Sequence, residues 1–225
     1  MKKQTYSFEE DYFEGYYKGI GDFSLTRNKE LSNWFRGIFH YLNRYLDLKN
    51  PNKRRVLEFG CATGSAASVL SGFGFEVAAT DISHYAVKKA KKIYPQIKFF
   101  TQDMQKPLRL RLKFDLAFSF DVIEHLEEPE KAIKNMYFVL KQGGMAICST
   151  PNESKYSYAD PSHINVKKPE IWRRIFKKIG FSDIIIRQVT FIPYFYRWHW
   201  RFNIALPIGL TLPFFISPVF IIAKK

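Results

Sequence analysis

The fold of this 225-residue chain is most restricted by one stretch, Val56-Leu-Glu-Phe-Gly-Cys-Ala-Thr-Gly64. The apolar run 55–59 predicts a buried strand, which breaks into a tight turn between Gly60 and Gly64. The small residues of 65–71 predict a helix after the turn. A strand, a glycine turn and a helix in this order are typical of α/β proteins whose backbone approaches a nucleotide-like ligand closely.

A carboxylate follows at the expected distance. The second apolar run, which begins at Phe75, ends at Asp81, 21 residues after Gly60. An acid at the tip of the second strand of a βαβ unit is placed to accept hydrogen bonds from ribose hydroxyls. Asp81 could instead cap the next helix, a role for which Ser83 competes. We favour the ligand role, because the loop and the acid occur together.

The composition of the loop argues against a pyrophosphate ligand. Ala62 and Ser65 stand where the dinucleotide fingerprint has its second and third glycines, and no P-loop lysine follows Gly64. The acid Glu58 lies in the strand just before the turn, where a carboxylate would repel a pyrophosphate. It would suit a cationic, phosphate-free ligand that carries an amino group.

These residues resemble the first motif of the class I S-adenosylmethionine-dependent methyltransferases, V-L-[DE]-x-G-C-G-x-G, from which this chain departs at Ala62. The resemblance implies S-adenosylmethionine as the cofactor. It also implies that Asp103 accepts from the adenine amino group, although Asp103 could be a solvent-facing loop acid. The residues that we expect to bind the cofactor are Glu58, Gly60, Cys61, Ala62, Gly64, Asp81, Ile82, Asp103, Met104 and Phe120.

Strands and helices alternate along the chain, which predicts a doubly wound, mostly parallel sheet with helices on both faces. Seven strands are expected, at 55–59, 75–80, 97–101, 114–120, 145–150, 184–186 and 217–223. A helix is expected over 31–48, and another from Pro129 to Leu140, before Gly143-Gly144. The resemblance implies that the last strand is antiparallel. We predict an N-terminal aromatic lid and helix over 1–50, and a methyltransferase core over 51–225 with an apolar substrate-side insertion at about 188–216.

A second motif, Asp121-Val-Ile-Glu124-His125-Leu126, follows the fourth predicted strand. It resembles the D-V-I-E-H-L segment of the type 11 methyltransferases, which include the ubiquinone-biosynthesis O-methyltransferases. The resemblance covers roughly 55–181. Asp121, Glu124 and His125 fall near one face if the turn is helical, and we predict that they are catalytic.

Three roles for His125 remain open. It could remove a proton from a substrate hydroxyl as general base, since its reference pKa of about 6.5 suits neutral pH. Glu124 and His125, joined by Asp121 or His163, could instead hold a divalent cation that lowers the hydroxyl pKa. The third alternative is a structural histidine satisfied by backbone groups, and no metal ligand is assigned.

The N-terminal lead is unusually aromatic and could fold over the cleft as a lid. Its aromatic residues are Tyr6, Tyr12, Phe13, Tyr16, Tyr17 and Phe23. The alternative is that the lead packs on the domain without touching ligand. Tyr16, Tyr17 and His163 are predicted to contact the substrate.

The C-terminal part is aromatic and then apolar. Arg197 and Arg201 interrupt the aromatic run 191–202, and three prolines interrupt the apolar run 204–223, which argues against a regular spanning helix. The segment could form an interfacial membrane patch or a pocket for a lipid-like substrate. A dimer face and plain core are the alternatives.

The formal charge of +14 reflects lysine clusters on predicted amphipathic helices, which we interpret as solvated faces. Cys61 and Cys148 give no disulfide framework, so a cytoplasmic location is expected, with membrane association left open. We predict O-methylation of a small-molecule or lipid-like acceptor and expect no nucleic-acid partner. The alternatives are a non-catalytic adenosyl-binding partner subunit and an RNA methyltransferase. The oligomeric state is not predicted.

Overall fold

The computed structural model describes residues 8–13, 25–108, 112–192, 195–210 and 217–225. Its helices are α1 (Leu25–Tyr41), α2 (Asn43–Leu46), α3 (Ser65–Gly72), α4 (His84–Ile93), α5 (Pro129–Val139) and α6 (Pro169–Ile179). Its strands are β1 (Arg55–Phe59), β2 (Glu76–Asp81), β3 (Lys98–Thr101), β4 (Phe114–Phe120), β5 (Leu140–Pro151), β6 (Ser182–Gln188), β7 (Thr190–Phe191), β8 (Ala205–Leu206) and β9 (Pro218–Lys224). Short 3-10 turns lie at Ile123–His125, Phe195–Arg197 and Trp200–Phe202.

One seven-stranded sheet organises the chain, with the strand order β3-β2-β1-β4-β5-β9-β6. The pairs among β1 to β5 are parallel. Strand β9 runs antiparallel to both of its neighbours, β5 and β6. The predicted doubly wound sheet with an antiparallel last strand is therefore confirmed. Strands β7 and β8 form a separate antiparallel pair.

The strands are apolar on both faces because helices cover both faces. In β1, Val56 packs into a cluster with α1, α3 and α4, whereas the next residue, Leu57, packs into a cluster with α5 and α6. The same alternation places Phe220 and Ile221 of β9 in the two clusters. Two-sided burial of this kind is what makes parallel strands read as continuous hydrophobic runs.

Two boundaries differ from the prediction. The structure divides the helix predicted over 31–48 into α1 and α2. Strand β5 begins at Leu140, earlier than expected, and includes Gly143, which has a φ of 75°. The pairing with β4 is irregular here, since Leu140 pairs with Phe114 but Met145 pairs with Leu116. The glycines therefore lie within an irregular part of the strand.

The sheet brings the predicted site residues together at the carboxyl ends of its parallel strands. Strands β1 to β5 are parallel, so their carboxyl ends all lie at the same end of the sheet. Asp81 ends β2, and the acid–histidine motif begins directly after β4. Ligands of open α/β sheets bind at this end. The proposed domain division, 1–50 and 51–225, stays a prediction.

Candidate active site

A cavity of about 310 Å³ opens at the carboxyl edge of the sheet. The glycine loop and the end of β2 form one side of it, and the residues after β4 form the other. We call these sides the adenosyl half and the acceptor half, after the ligands that the sequence predicts for them. Residues of the N-terminal segment also line the cavity.

Asp81 fastens the glycine loop in the adenosyl half. One carboxylate oxygen accepts from the backbone N–H of Ala62 at 2.8 Å, and the other accepts from the N–H of Ser83 at 2.9 Å. A carboxylate has about four acceptor positions, so Asp81 can still accept from ribose hydroxyls. Burial raises the pKa of Asp81, and these two N–H groups oppose that rise. Gly60, Ala62, Asp81 and Ile82 line the cavity.

Ser83, and not Asp81, caps the helix that follows β2. The N-cap of α4 is Ser83, whose hydroxyl oxygen accepts from the N–H of Ala86 at 3.0 Å. Asp81 therefore remains available to the cavity.

Glu58, Cys61, Gly64 and Phe120 do not line the cavity among the described residues. Burial raises the pKa of Glu58 to about 8, so this acid is largely protonated at neutral pH. The contact of Glu58 with a ligand amino group stays a prediction. A Cβ on Gly64 would come within 2.7 Å of the Phe99 ring, and the Phe120 ring packs 5.7 Å from that of Phe39. Gly64 and Phe120 therefore pack against neighbouring aromatic rings.

The predicted adenine end lies after β3, where Asp103 and Met104 line the cavity. One oxygen of Asp103 accepts from the backbone N–H of Gln105 at 2.9 Å. The other oxygen lies 3.9 Å from the ammonium group of Lys106. Since the Asp103 side chain is 16% exposed and adjoins the cavity, its position agrees with a ligand contact better than with a solvent-facing loop acid.

An N-terminal turn closes over the cavity. Phe8, Tyr12 and Phe13 line it, and the Phe8 ring lies 5.8 Å from the ring of His125. The carboxylate of Glu9 accepts from the backbone N–H groups of His84 and Tyr85, both at 3.1 Å. A carboxylate at the start of α4 is also favoured by the helix dipole. Tyr6, Tyr16, Tyr17 and Phe23 lie outside the described residues.

Asp121 begins the acceptor half with a strained backbone, at a φ of 52°. Its carboxylate accepts from the hydroxyl of Ser149 at 2.9 Å, and its side chain adjoins the cavity. Asp121 is exposed at the cavity, but the protein atoms around it raise its pKa, and the Ser149 hydroxyl opposes that rise. The positive φ of a non-glycine residue at this point is the kind of strain that functional sites retain.

Glu124 is fully buried, and neither of its carboxylate oxygens makes a hydrogen bond of regular geometry among the described residues, although the Thr150 hydroxyl and its own backbone N–H are near enough to oppose the rise of its pKa. Burial raises its pKa well above the ordinary value, and the neighbouring charge of Asp121 raises it further. A buried carboxylate without a partner is costly unless it binds a proton or a cation. Glu124 therefore lies where one of the two is required.

His125 lies between Glu124 and the cavity, with its tautomer set by Ser162. Its Nδ1 is 3.2 Å from the carbonyl oxygen of Ser162 and 3.0 Å from the hydroxyl oxygen, which itself donates to Asp160. Since a carbonyl only accepts, Nδ1 carries the proton and Nε2 keeps a free lone pair. Burial and the nearby His163 lower the pKa of His125 to about 4, so the ring is neutral at pH 7.

His163 lies beside His125, with 4.7 Å between the ring centres, but it does not line the cavity. Its Nδ1 is 2.6 Å from the carbonyl oxygen of Ser157. Potential ligand atoms of Glu124, His125 and His163 lie within 4.8 Å of one another. His163 therefore lies beside His125, where a cation could be held, and its substrate contact stays a prediction.

Several cavity residues are not among the predicted site residues, although Leu126 belongs to the acid–histidine motif. Phe8, Leu126, Ser162 and Ile164 line the cavity, and Glu9 holds the N-terminal turn. Ser162 contacts His125 across 37 residues of chain, so no local pattern joins them. The proximity of Ser162 to the predicted residue His163 was the single available hint.

The comparisons with known proteins agree with this fold. A methyltransferase domain model matches residues 31–185, and the chain therefore belongs to the methyltransferase domain family. The resemblance that the motifs predicted is confirmed.

Relatives support the same family. A probable S-adenosylmethionine-dependent methyltransferase of Mycobacterium tuberculosis is 29% identical over 112 residues, 50% of this chain and 41% of that protein. The ubiquinone biosynthesis O-methyltransferase of Rickettsia felis is 31% identical over 149 residues, 56% of this chain and 59% of that protein. The chain spans about half the length of the curated relatives it matches.

A solved structure shares the fold. Magnesium protoporphyrin IX methyltransferase from Synechocystis PCC 6803, crystallised with bound S-adenosylmethionine, aligns with a TM-score of 0.61 at 20% identity. The alignment covers 96% of this chain and 94% of that one. Within the described ranges, no helix has the length and apolarity needed to cross a membrane.

Proposed function

We propose that the protein transfers the methyl group of S-adenosylmethionine to a hydroxyl oxygen of a small-molecule or lipid-like acceptor. The observation that carries the proposal is His125, which lines the same cavity as Asp81 and the glycine loop and whose Nε2 is unprotonated. The family and the R. felis O-methyltransferase support it.

Bound S-adenosylmethionine supplies a methyl group that its sulfonium already activates. The acceptor oxygen then bonds to the methyl carbon while the carbon–sulfur bond breaks and its electron pair stays on sulfur. The hydroxyl proton moves to Nε2 of His125. A histidine with a pKa of about 4 is a weak base, but the oxygen becomes strongly acidic as the methyl group arrives, so proton removal in or after that step suffices.

The chain's main contribution is positioning. Asp81 and the loop hold the donor, and the N-terminal turn with Phe8 excludes water from the opposite side. In-line placement and exclusion of water supply most of the acceleration for a substrate that is already activated. The absence of a nucleophilic triad from the sequence is consistent with this chemistry.

A divalent cation would fit the same cluster, since Glu124 has two unpartnered oxygens and the two histidines offer nitrogen ligands. It would lower the pKa of the acceptor hydroxyl. A carboxylate and two imidazoles suit manganese or zinc better than magnesium. A chelator followed by metal titration separates the two roles: a general base alone keeps full activity, whereas a cation site loses activity and regains it. His163→Ala should then be as inactive as His125→Ala only in the second case.

The decisive experiment uses S-adenosylmethionine labelled in the methyl group, with extract separated into lipid, small polar and nucleic-acid pools. We expect label in the lipid or small polar pool, in a product that resists mild alkali as an ether does. Label in nucleic acid would make the protein an RNA methyltransferase. Tight donor binding without transfer to any pool would make it a non-catalytic partner subunit.

A further inference from the structure

The segment between β7 and β8 exposes aromatic side chains on ordered turns. Phe195, Trp198 and Phe202 are exposed, Trp198 to 75%. The backbone N–H of Trp198 donates to the carbonyl of Phe195, and that of Phe202 donates to the carbonyl of His199. We call Phe195, Trp198, His199, Arg201 and Phe202 the aromatic–basic face.

The other side chains of the segment fix it on α1. Tyr196 is buried against Trp34 with 5.1 Å between ring centres, and Trp200 stacks on His40 at 4.2 Å. The amide of Asn203 donates to the carbonyl of Trp34 at 3.0 Å. These contacts fix the segment on α1 and leave the rings of Phe195, Trp198 and Phe202 exposed.

The C-terminal part of the chain contains basic residues and no acidic residues of its own. After Asp183 the sequence contains no Asp or Glu, but it contains Arg187, Arg197, Arg201, Lys224 and Lys225. The guanidinium of Arg201 lies 5.3 Å from the Trp200 ring centre, which keeps the charge beside the exposed aromatics. Arg197 pairs with Glu30 of α1 at 3.1 Å. Exposed aromatic rings beside cations complement the surface of an anionic bilayer.

The segment leaves the sheet at the edge that carries the cavity. Strand β5 ends there at Pro151, and its partner residue in antiparallel β9 is Pro218, the first residue of that strand. Strand β6 ends at Gln188 near the same edge, since Gln188 pairs with Val219. From there the segment runs back along α1, since Trp200 stacks on His40 and the His40 ring contacts Phe73, just before β2 begins.

We propose that the aromatic–basic face docks on a bilayer surface that contains anionic lipid. Its rings insert at the headgroup level, and Arg201 and His199 lie against lipid phosphates. This docking is independent of the proposed methyl transfer, because it needs neither donor nor acceptor.

Sedimentation with vesicles tests the proposal. We expect the protein to sediment with vesicles of phosphatidylcholine and phosphatidylglycerol, and less with phosphatidylcholine alone or in high salt. Trp198→Ala combined with Phe202→Ala should weaken partitioning about tenfold, and Arg201→Gln about fivefold. The matched control is Phe138→Ala, an equally exposed aromatic next to Lys134 near the opposite edge of the sheet.

Three results would overturn the proposal. One is that wild type does not bind anionic vesicles at low salt, and another is that Phe138→Ala weakens binding as much as the double variant. The third is that the double variant lowers the native mass by light scattering but leaves vesicle binding unchanged, which would assign the face to a second copy of this chain. Melting curves and donor affinity of the double variant should match wild type, so a loss of docking is separable from misfolding and from failure of the proposed function.

Discussion

The two halves of the cavity differ in how their buried acids are satisfied. In the adenosyl half, both oxygens of Asp81 accept backbone N–H groups at the glycine loop and at Ser83. In the acceptor half, Glu124 is fully buried with both oxygens unpartnered, beside a neutral His125. In the first half the acid that lines the cavity is satisfied without a ligand, although Glu58 of β1 keeps one oxygen unpartnered and is largely protonated. In the second half Glu124 requires a proton or a cation.

This difference indicates that the acceptor half lowers the stability of the folded protein. A buried polar group without a partner costs on the order of 1–3 kcal/mol, and more when it is charged. Proteins tolerate such groups where activity needs them. The acceptor half is therefore where substitutions should separate activity from stability.

The largest effect should come from His125→Ala. We expect kcat to fall by about 10³-fold, in the range for loss of a general base, while the affinity for S-adenosylmethionine stays within about twofold. Steady-state kinetics and calorimetry measure the two quantities. Equal activity of the variant would return His125 to a structural role and remove the difference between the halves.

Asp81→Asn should weaken donor binding about 100-fold. An amide has one oxygen, so its NH₂ group would face the N–H of Ala62 or Ser83, and hydrogen bonds that involve charged groups contribute about 1.5–3 kcal/mol. Calorimetry measures the affinity, with Asp183→Asn, exposed in β6, as the matched control. An unchanged affinity would contradict the assignment of the adenosyl half.

The sequence predicts the adenosyl half better than the acceptor half for a physical reason. Strand, turn and helix at Gly60–Gly64 are encoded locally, and the parallel sheet then brings Asp81 and Asp103 to the same cavity. The sequence also predicts that Glu58 lies in a buried strand, but it does not reveal how far this burial raises the pKa of the carboxyl group.

The remaining site residues are positioned by contacts between segments that are far apart in the sequence. Ser162 sets the tautomer of His125 across 37 residues, and Glu9 contacts Tyr85 across 76. Neither has a motif, since the fold alone brings them together. The start of β5 was misjudged because a glycine pair is typical of both a helix end and an irregular strand. The substrate contacts predicted for Tyr16 and Tyr17 stay predictions.

The buried acids Glu58 and Glu124 allow the two halves to be compared through the pH dependence of the free energy of unfolding. The pKa of Glu58 rises from 4.5 to about 8 on folding, so its contribution to stability is full below about pH 4.5 and is lost as the pH rises toward 8. Glu58→Gln should therefore raise the free energy of unfolding by about 2 kcal/mol or more at pH 8 and change it little at pH 4.5, since one pKa unit corresponds to about 1.4 kcal/mol.

Glu124→Gln should follow the same direction, because burial also raises the pKa of Glu124. The two variants should differ in activity: Glu58→Gln should keep both donor affinity and turnover, and Glu124→Gln should lose turnover. Denaturant unfolding at both pH values and kinetics measure this. A loss of donor affinity in Glu58→Gln would instead support the predicted contact of Glu58 with the ligand amino group.

The smallest effect should come from Glu9→Gln, which tests whether the N-terminal turn joins the two halves. Glu9 accepts N–H groups at the start of α4 while its neighbour Phe8 packs near His125. Loss of the negative charge at a helix N-terminus costs about 1 kcal/mol, which should make donor dissociation about fivefold faster. Stopped-flow displacement measures the rate, and Glu10→Gln, exposed one residue away, is the matched control. Equal rates for both variants would mean that the turn packs on the domain without retaining the donor, and the two halves would then be joined by the sheet alone.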